Sequence, residues 1–221
     1  MKKHILLLLA LATGITAFSE TRDTIKKNKL TLIFVNKDTA FSAVTKQRLI
    51  DAFFIVYPEE INTYNKESAT QVTFVIDPAY KGVAATGGGV VRFNPAWFVK
   101  NPEDIDVVTH EVMHIVQNYG RNDVPGWLTE GIADYVRNQY GINNAKSGWK
   151  LTDFKPTQNY INAYRITARF LVWAEKNKNN KLVKILDEAA RNNKYTPELW
   201  QQLTGKNVDD LWKEYAENPV I

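Results

Sequence analysis

The sequence contains no cysteine, and this absence narrows the chemistry open to the protein. A disulfide framework and a lipid-modified N-terminal cysteine are excluded, and any zinc site has to use histidine and carboxylate ligands. Histidine is also scarce, with three residues in a chain of 221. His4 lies in what reads as a cleaved leader, so the predicted mature chain keeps only His110 and His114.

The sequence also lacks a strong net charge and a long apolar run. Its formal charge is +4, and loss of Lys2 and Lys3 with the leader leaves +2, which describes a solvated surface and not a nucleic-acid footprint. The apolar run from Ile5 to Ala12 is shorter than the roughly 20 residues that cross a membrane as a helix. We therefore predict no nucleic-acid partner and no stable membrane insertion, and we expect a monomer.

The first 19 residues have the pattern of a secretory signal peptide. Residues that can carry positive charge are followed by the apolar run, and then by small residues with Ala17-Phe18-Ser19 as the best cleavage site. We predict export to the periplasm or medium of a bacterium. The predicted organisation is a signal peptide at 1–19, a polar N-terminal segment at 20–29 and a single domain at 30–221.

The pattern that carries most chemistry is His110-Glu111-Val112-Met113-His114. On a helix, residues four apart lie on the same side, so the two imidazoles would lie one turn apart with a carboxylate beside them. That is the minimum set for a catalytic zinc. The alternative is that these are two surface histidines with a solvated glutamate. Histidine is so scarce in this chain that such a chance placement explains the pattern poorly.

A catalytic zinc needs a third protein ligand and an open position for water. The metzincin continuation fails, because Gln117 and Gly120 stand where glycine and histidine are required. A carboxylate is left, and Glu130 and Asp134 share one face of the helix predicted downstream. Glu130 fits the ligand position, with Asp134 as the acceptor that fixes a histidine tautomer. The reversed assignment, with Asp134 on the metal, stays open because either carboxylate suits zinc.

Two stretches resemble the basic secretory protein family found in plants and bacteria. They are Thr109–Gln117, which contains the HExxH sequence, and Trp127–Tyr135, which contains the downstream acidic pair. That family is similar to the gluzincin metallopeptidases in combining HExxH with Glu-x-x-x-Asp. The resemblance extends over residues 30 to about 215. The chain departs from the family name in being only mildly basic.

The resemblance implies a zinc peptidase fold in which one Zn²⁺ is held by His110, His114 and Glu130. It also implies that Glu111 is the general base. The chemistry agrees, because a helix turns about 100° per residue and so leaves Glu111 beside the metal instead of on it. From there a glutamate can take a proton from the activated water and deliver it to the leaving amine.

An oxyanion that develops in the reaction needs a donor besides the metal. Our candidate is Tyr164, which begins a helical pattern running to Trp173 and resembles the tyrosine-led helix that follows the glutamate ligand in several gluzincins. A tyrosine at helical spacing can equally be a core residue. Tyr160, Arg165 and Tyr119 are further candidates.

A glycine cluster at residues 87–89 leads into a β-prone run upstream of the zinc helix. Extended peptides commonly bind to an exposed strand edge, and glycine permits close approach of another backbone. We interpret Gly89 to Asn94 as the substrate-facing edge strand, with Gly89, Val90, Val91 and Arg92 in contact with substrate. A plain flexible turn is the alternative.

The remaining patterns predict an α+β, zincin-like domain with a small N-terminal mixed sheet and a helical C-terminal half. Strands are expected at Leu30–Val35 and Gln71–Ile76, and the zinc helix is expected to begin at Asn101 with Pro102 in its first turn. A helix from about Ala40 is expected to break or kink at Pro58. A polar loop or lid is expected from Asn138 to Asn159, and further helices at Tyr160–Glu175, Lys181–Arg191, Pro197–Leu203 and Val208–Ala216.

These features favour a secreted zinc-dependent peptidase whose partner is an extended peptide or protein substrate. Aminopeptidase activity is less favoured, because the chain has no Gly-x-Met-Glu-Asn-like motif. One alternative is a zinc amidase that acts on cell-wall peptides, since the same chemistry serves many amides. Another is a non-catalytic exported binding protein with a structural zinc site. Structural sites normally have four protein ligands, and a fourth carboxylate such as Asp123 could complete the set, but catalysis is preferred.

Overall fold

The computed structural model describes residues 20–221, and the predicted signal peptide lies outside the described residues. The fold begins with a five-stranded sheet in the order β1-β2-β3-β5-β4. β2, β3 and β5 run parallel, whereas β1 and β4 are antiparallel to their neighbours. The mixed sheet of the α+β prediction is confirmed. The strands are β1 (Thr21–Lys27), β2 (Leu30–Asn36), β3 (Gln71–Ile76), β4 (Ala84–Gly87) and β5 (Val90–Phe93).

Nine α-helices and one 3₁₀ turn at Tyr160–Asn162 follow the described strands or lie between them. The sheet presents alternate apolar side chains to one hydrophobic core that also takes in the helices, which is the period-two pattern of strands. No helix among residues 20–221 is both long and apolar enough to cross a membrane. The helices are α1 (Ala43–Thr63), α2 (Pro95–Lys100), α3 (Val107–Gln117), α4 (Gly126–Tyr140), α5 (Asn144–Ser147), α6 (Tyr164–Asn177), α7 (Leu182–Arg191), α8 (Glu198–Thr204) and α9 (Val208–Glu217).

The glycine-rich strand does not lie where the sequence suggested. β5 pairs with β3 on one side and with β4 on the other, so β4 is the edge strand on this side of the sheet and the prediction that Gly89 to Asn94 forms the edge is wrong. Gly88 and Gly89 both have positive φ, at 57° and 75°, and connect the two strands. Two-residue hairpin turns need such residues. The glycines therefore make a turn that places Ala84–Gly87 outside β5.

The helix that carries the HExxH sequence begins later than predicted. Asn101 ends the short helix α2, and α3 starts only at Val107. Asp106 accepts hydrogen bonds from the backbone N–H groups of Ile142 and Asn143, at 2.8 and 2.6 Å. Tertiary contacts of this kind override local capping preference. They also link the start of α3 to the segment that follows α4.

Two other helix boundaries differ from the sequence prediction. Pro58 lies inside α1, which continues to Thr63, because both sides of the proline pack into the core, with Tyr57 and Glu60 fully buried. Such packing outweighs the roughly 3 kcal/mol cost of an interior proline. The predicted helix from Tyr160 is divided into the 3₁₀ turn and α6, and Ala163 between them has φ 62°.

The two polar segments of the sequence are also partly structured. The polar N-terminal residues form β1, which pairs along its whole length with β2. α4 extends to Tyr140 and α5 follows after three residues. The predicted loop from Asn138 is therefore interrupted, and the residues in it without helix or strand are 141–143 and 148–159. Within this segment, the Cζ atom of the Arg137 guanidinium lies over the ring of Trp149, 4.5 Å from the ring centroid. The Trp149 ring also packs against the core.

Glu60 is a buried acid without a hydrogen-bond partner for either side-chain oxygen among the described residues. Burial raises its pKa well above the ordinary value of about 4.5, and only the charge of His110 opposes the shift. The folded protein therefore binds more protons at this site than the unfolded chain once the pH exceeds 4.5. The free energy of unfolding then falls as the pH rises above that value.

Replacing Glu60 by leucine is expected to raise the free energy of unfolding at pH 7 by about 1–3 kcal/mol, the cost of an unpartnered buried polar group. The gain should shrink toward pH 4, where the wild type no longer loses stability through this acid. Urea denaturation of the wild type and the variant at pH 7 and pH 4 measures this difference in the free energy of unfolding. Glu59 on the same helix is exposed, so Glu59→Leu serves as the control and should change stability by less than about 0.5 kcal/mol. A less stable Glu60→Leu protein would contradict the argument.

Candidate active site

Three potential metal ligands converge where α3 packs against α4. His110 and His114 extend from α3 and Glu130 from α4, and one donor atom from each lies within 4.8 Å of the other two. The Nε2 atoms of the two histidines are 3.2 Å apart, and Glu130 Oε2 lies 3.2 Å from the first and 3.6 Å from the second. Two imidazole nitrogens and one carboxylate oxygen suit a divalent metal ion.

The ring of His110 is fixed from its other side by Asp134. The distance from His110 Nδ1 to Asp134 Oδ1 is 2.7 Å, and both side chains are buried. Asp134 thus lies behind the imidazole, whereas Glu130 lies on the Nε2 side. An acceptor at Nδ1 holds the proton there and leaves Nε2 for a metal. The geometry favours Glu130 as ligand and Asp134 as support over the reversed assignment.

The ring of His114 has a support that sequence reasoning missed. Its Nδ1 lies 2.7 Å from Gln117 Oε1, and Gln117 Nε2 donates to the backbone carbonyl of Thr129 at 2.9 Å. The identity of residue 117 in the sequence argues only against the metzincin pattern and does not by itself indicate this contact. Its spacing of three from His114 was the available signal, because such residues are neighbours on a helix. Gln117 also joins α3 to the turn of α4 that carries Glu130.

Glu111 is held beside the metal-ligand group by the edge strand. The Thr86 hydroxyl lies 2.6 Å from Glu111 Oε2 and 3.0 Å from the backbone carbonyl of Glu111, and can donate to one of them at a time. Thr86 belongs to β4, so its role depends on a strand that sequence reasoning did not identify. The Glu111 side chain is nearly buried, which limits the orientations that it can take.

Tyr164 lies at the mouth of the site and not in the core. Its ring stacks on His110, with centroids 6.1 Å apart and planes at 19°, and 54% of the residue is exposed. The backbone is strained here, because Ala163 has φ 62° and ψ −172° and Tyr164 has φ 51°. The Glu130 carboxylate, with some burial, raises the pKa of the Tyr164 hydroxyl, so it stays protonated at neutral pH.

The other candidate oxyanion donors are used elsewhere. The hydroxyl of Tyr160 donates to Asp209 at 2.7 Å, and that of Tyr119 donates to Asp187 at 2.9 Å. Arg165 is exposed at the rim of the cleft. Of these three tyrosines, the structure therefore leaves Tyr164 as the one whose ring stacks on His110 and whose hydroxyl has no such acceptor among the described residues.

The charges of the site compensate one another. Burial lowers the pKa of His110, but the carboxylates of Asp134 and Glu130 outweigh it and raise the pKa to about 10. Burial would raise the pKa of Glu130, but His110 and His114 hold it well below its usual range. A metal ion that takes His110 Nε2 has to replace a proton, so metal binding releases protons.

An open cleft of about 1220 Å³ runs over these groups. β4 lines one side, and α3, α4 and the start of α6 line the other. Of the residues predicted to touch substrate, none of Gly89, Val90, Val91 and Arg92 lines the cleft, because β4 lies between β5 and the opening. Their place is taken by residues 84–88 of β4 and its turn.

Solved structures with a similar fold include zinc metallopeptidases. A two-domain M1 zinc metallopeptidase, a mutant bound to L-tryptophan, superposes with a TM-score of 0.56 at 11% identity, over 92% of this chain and 52% of that one. For a mutant M1 zinc metallopeptidase from Deinococcus radiodurans the TM-score is 0.48 at 9% identity, over 92% and 53%. The chain thus spans about half the length of these proteins. No curated protein sequence matches it.

The family model for basic secretory proteins, described as peptidases of plants and bacteria, matches residues 19–215. The match ends where the sequence resemblance ends, at residue 215, and begins earlier, so that it includes β1. The HExxH sequence, the acidic pair of α4 and the whole sheet lie inside it. The chain therefore belongs to the basic secretory protein family of plant and bacterial peptidases.

Proposed function

We propose that the protein is an exported zinc-dependent peptidase of the gluzincin type that hydrolyses peptide bonds in extended peptides or proteins. It would hold one zinc ion per chain on His110, His114 and Glu130, with Glu111 as the general base. The observation that carries the proposal is the convergence of these three donors in an open cleft, with the Glu111 carboxylate beside them. Family membership supports the peptidase part of the proposal.

The residues present fit zinc better than other common ions. Two histidines and one glutamate form a ligand set typical of catalytic zinc, and each imidazole is supported through its second nitrogen. A zinc ion held there supplies Lewis acidity, which activates water near neutral pH and polarises a peptide carbonyl. Within residues 20–221 the group comprises three ligands and does not include Asp123, which favours catalysis over a structural clamp.

The chain's own residues would carry the proton transfers. Glu111 would accept a proton from the attacking water on its carboxylate and later deliver it to the leaving amine. The Thr86 hydroxyl holds that carboxylate on the cleft side of α3. Tyr164, whose hydroxyl keeps its proton at neutral pH, would donate a hydrogen bond to the negative charge that develops on the carbonyl oxygen.

The substrate strand would pair with β4. The Asn94 N–H donates to the Val83 carbonyl at 3.1 Å, so these two residues form a hydrogen-bonded pair of the hairpin. Pair types alternate along antiparallel strands. Ala85 and Gly87 therefore point their backbone groups toward β5, while Ala84 and Thr86 point theirs toward the cleft. These outward groups are available to an added strand, as in other peptide-binding sheet edges.

The proposal is tested by measuring zinc content together with cleavage of an unfolded protein. We expect about one zinc per mature chain and cleavage that a chelator stops and added zinc restores, as one catalytic site requires. Tight zinc binding with no cleavage of a broad peptide panel would favour the non-catalytic binding protein instead. Absence of zinc binding would refute the assignment of the site.

Gln117→Leu is expected to weaken zinc binding by about 10–100-fold, because loss of the Gln117 acceptor frees the ring of His114. Competition with a chelator of known affinity measures the change. Activity at saturating zinc should recover most of the wild-type rate. Gln139→Leu is the control, since Gln139 is exposed on α4. Equal affinity in the wild type and the Gln117 variant would contradict a supporting role.

A further inference from the structure

We propose that Tyr80 is a specificity-determining residue that ends the substrate-binding edge of β4 on one side of the metal-ligand group. The inference rests on the proposed function, since it assumes that a peptide pairs with β4. Its consequence is that the enzyme gains no backbone hydrogen bond from substrate residues beyond that point. It would therefore discriminate little between substrates that are short and long on that side of the scissile bond.

The Tyr80 hydroxyl occupies a hydrogen-bond acceptor of the open edge. It donates to the backbone carbonyl of Ala84 at 2.9 Å. The register of the hairpin independently points that carbonyl away from β5 and toward the cleft. A substrate N–H that followed the strand would need this same oxygen. Of the four outward groups of Ala84 and Thr86, one is thus satisfied by the protein itself.

The position of Tyr80 is built into the loop before β4. Its ring lies directly over Gly82, where a Cβ atom would come within 2.5 Å of the hydroxyl oxygen and 2.8 Å of the ring. The loop is held in place by Asn94, whose side-chain N–H donates to the Gly82 carbonyl at 2.9 Å. Only glycine at position 82 therefore lets the tyrosine reach Ala84 without a shift.

The blocked carbonyl lies on the side of the cleft that receives the C-terminal part of an antiparallel substrate. Thr86 is the edge residue bonded to Glu111, so it marks the level of the scissile bond. β4 runs from Ala84 to Gly87, and antiparallel pairing, the commoner and more stable arrangement, makes the substrate run from Gly87 to Ala84. Ala84 then faces a residue on the C-terminal side of the scissile bond.

The test uses Tyr80→Phe in a Glu111→Gln background, so that peptides bind without being cleaved. Fluorescent peptides extended stepwise on either side of a known cleavage site are titrated into the zinc-loaded proteins. Phenylalanine frees the Ala84 carbonyl, so peptides extended on the C-terminal side should bind about three- to tenfold more tightly than to the Tyr80 protein, the contribution of one hydrogen bond. N-methylation of the responsible amide should remove the gain, and short peptides should bind unchanged.

Two further variants separate this role from a structural one. Gly82→Ala displaces the Tyr80 ring while keeping its hydroxyl, and it should reproduce the gain for extended peptides. Tyr140→Phe removes a hydroxyl that bonds Thr63 at 3.0 Å, and neither residue lines the cleft, so this change should leave all affinities unchanged. An equal change for all peptides in Tyr80→Phe would show that the residue merely braces the loop, and a gain limited to N-terminal extensions would overturn the inference too.

The same data distinguish failure of the inference from failure of the proposed function. If the wild-type enzyme cleaves peptides but Tyr80→Phe changes neither their affinity nor its dependence on length, the inference alone is wrong. If no peptide binds to either protein and the wild type cleaves none, both are wrong. Peptides that bind with the expected length dependence but are not cleaved would support the role of Tyr80 while refuting the peptidase.

Discussion

Glu111→Gln is expected to lower kcat by about 10²- to 10⁴-fold, the contribution of a positioned general base, while zinc content stays at one ion per chain. Glutamine has nearly the shape of glutamate and can still accept a hydrogen bond from the Thr86 hydroxyl, but it cannot accept a proton from water. Because Glu111 is not among the three converging donors, its replacement should spare the metal. Steady-state kinetics with a quenched peptide and zinc analysis of the same samples measure both.

The pattern of kinetic constants makes this result specific. KM should change little, since Glu111 acts on the reacting water and not on substrate affinity. Glu59→Gln, a matched change at an exposed position of α1, should retain full activity. A Glu111→Gln protein that keeps more than about a tenth of the wild-type kcat would show that another group is the base. Loss of zinc together with activity would instead mean that the carboxylate is needed to hold the metal.

Glu130→Gln is expected to remove most of the stabilisation that zinc provides. Zinc at a free concentration of about 100 times its Kd should raise the free energy of unfolding of the wild type by about 2.7 kcal/mol. The variant loses the anionic ligand that lies 3.2 and 3.6 Å from the two imidazoles, so its metal-free and zinc-loaded forms should unfold almost alike. Urea denaturation with buffered zinc and with chelator gives the two values for each protein.

Comparison within each variant matters here. Glu130 also compensates the charge of His110 in the metal-free protein, so its replacement shifts the baseline stability as well. Only the difference in the free energy of unfolding between the zinc-loaded and metal-free forms measures the contribution of Glu130 to zinc binding. Glu188→Gln, an exposed change on α7, should keep the full difference. If Glu130→Gln keeps it too, the third ligand is another residue, and Asp134 would be the first to examine.

Local patterns in the sequence determined much of this fold. β3 occupies Gln71–Ile76 as predicted, because alternating apolar residues define a half-buried strand without reference to the rest of the chain. The last three helices lie within one or two residues of their predicted bounds. The three side chains that could hold a metal ion were also predictable from the sequence, since spacing of four on each of two helices sets which side chains share a face. Only the convergence of the side chains from the two helices in space depended on the tertiary fold.

Tertiary structure decided everything that depends on residues far apart in sequence. A hairpin turn at Gly88-Gly89 determines which strand is the edge, and periodicity cannot show which neighbour a strand will have. Pro58 stays inside a helix because packing around it outweighs its local cost. Thr86 and Tyr80 acquire their contacts only when the hairpin folds beside α3. The sequence by itself thus determined the candidate ligands and the reaction that we propose for them, whereas the surface that would receive a substrate arose from long-range strand pairing, which carries no local signal.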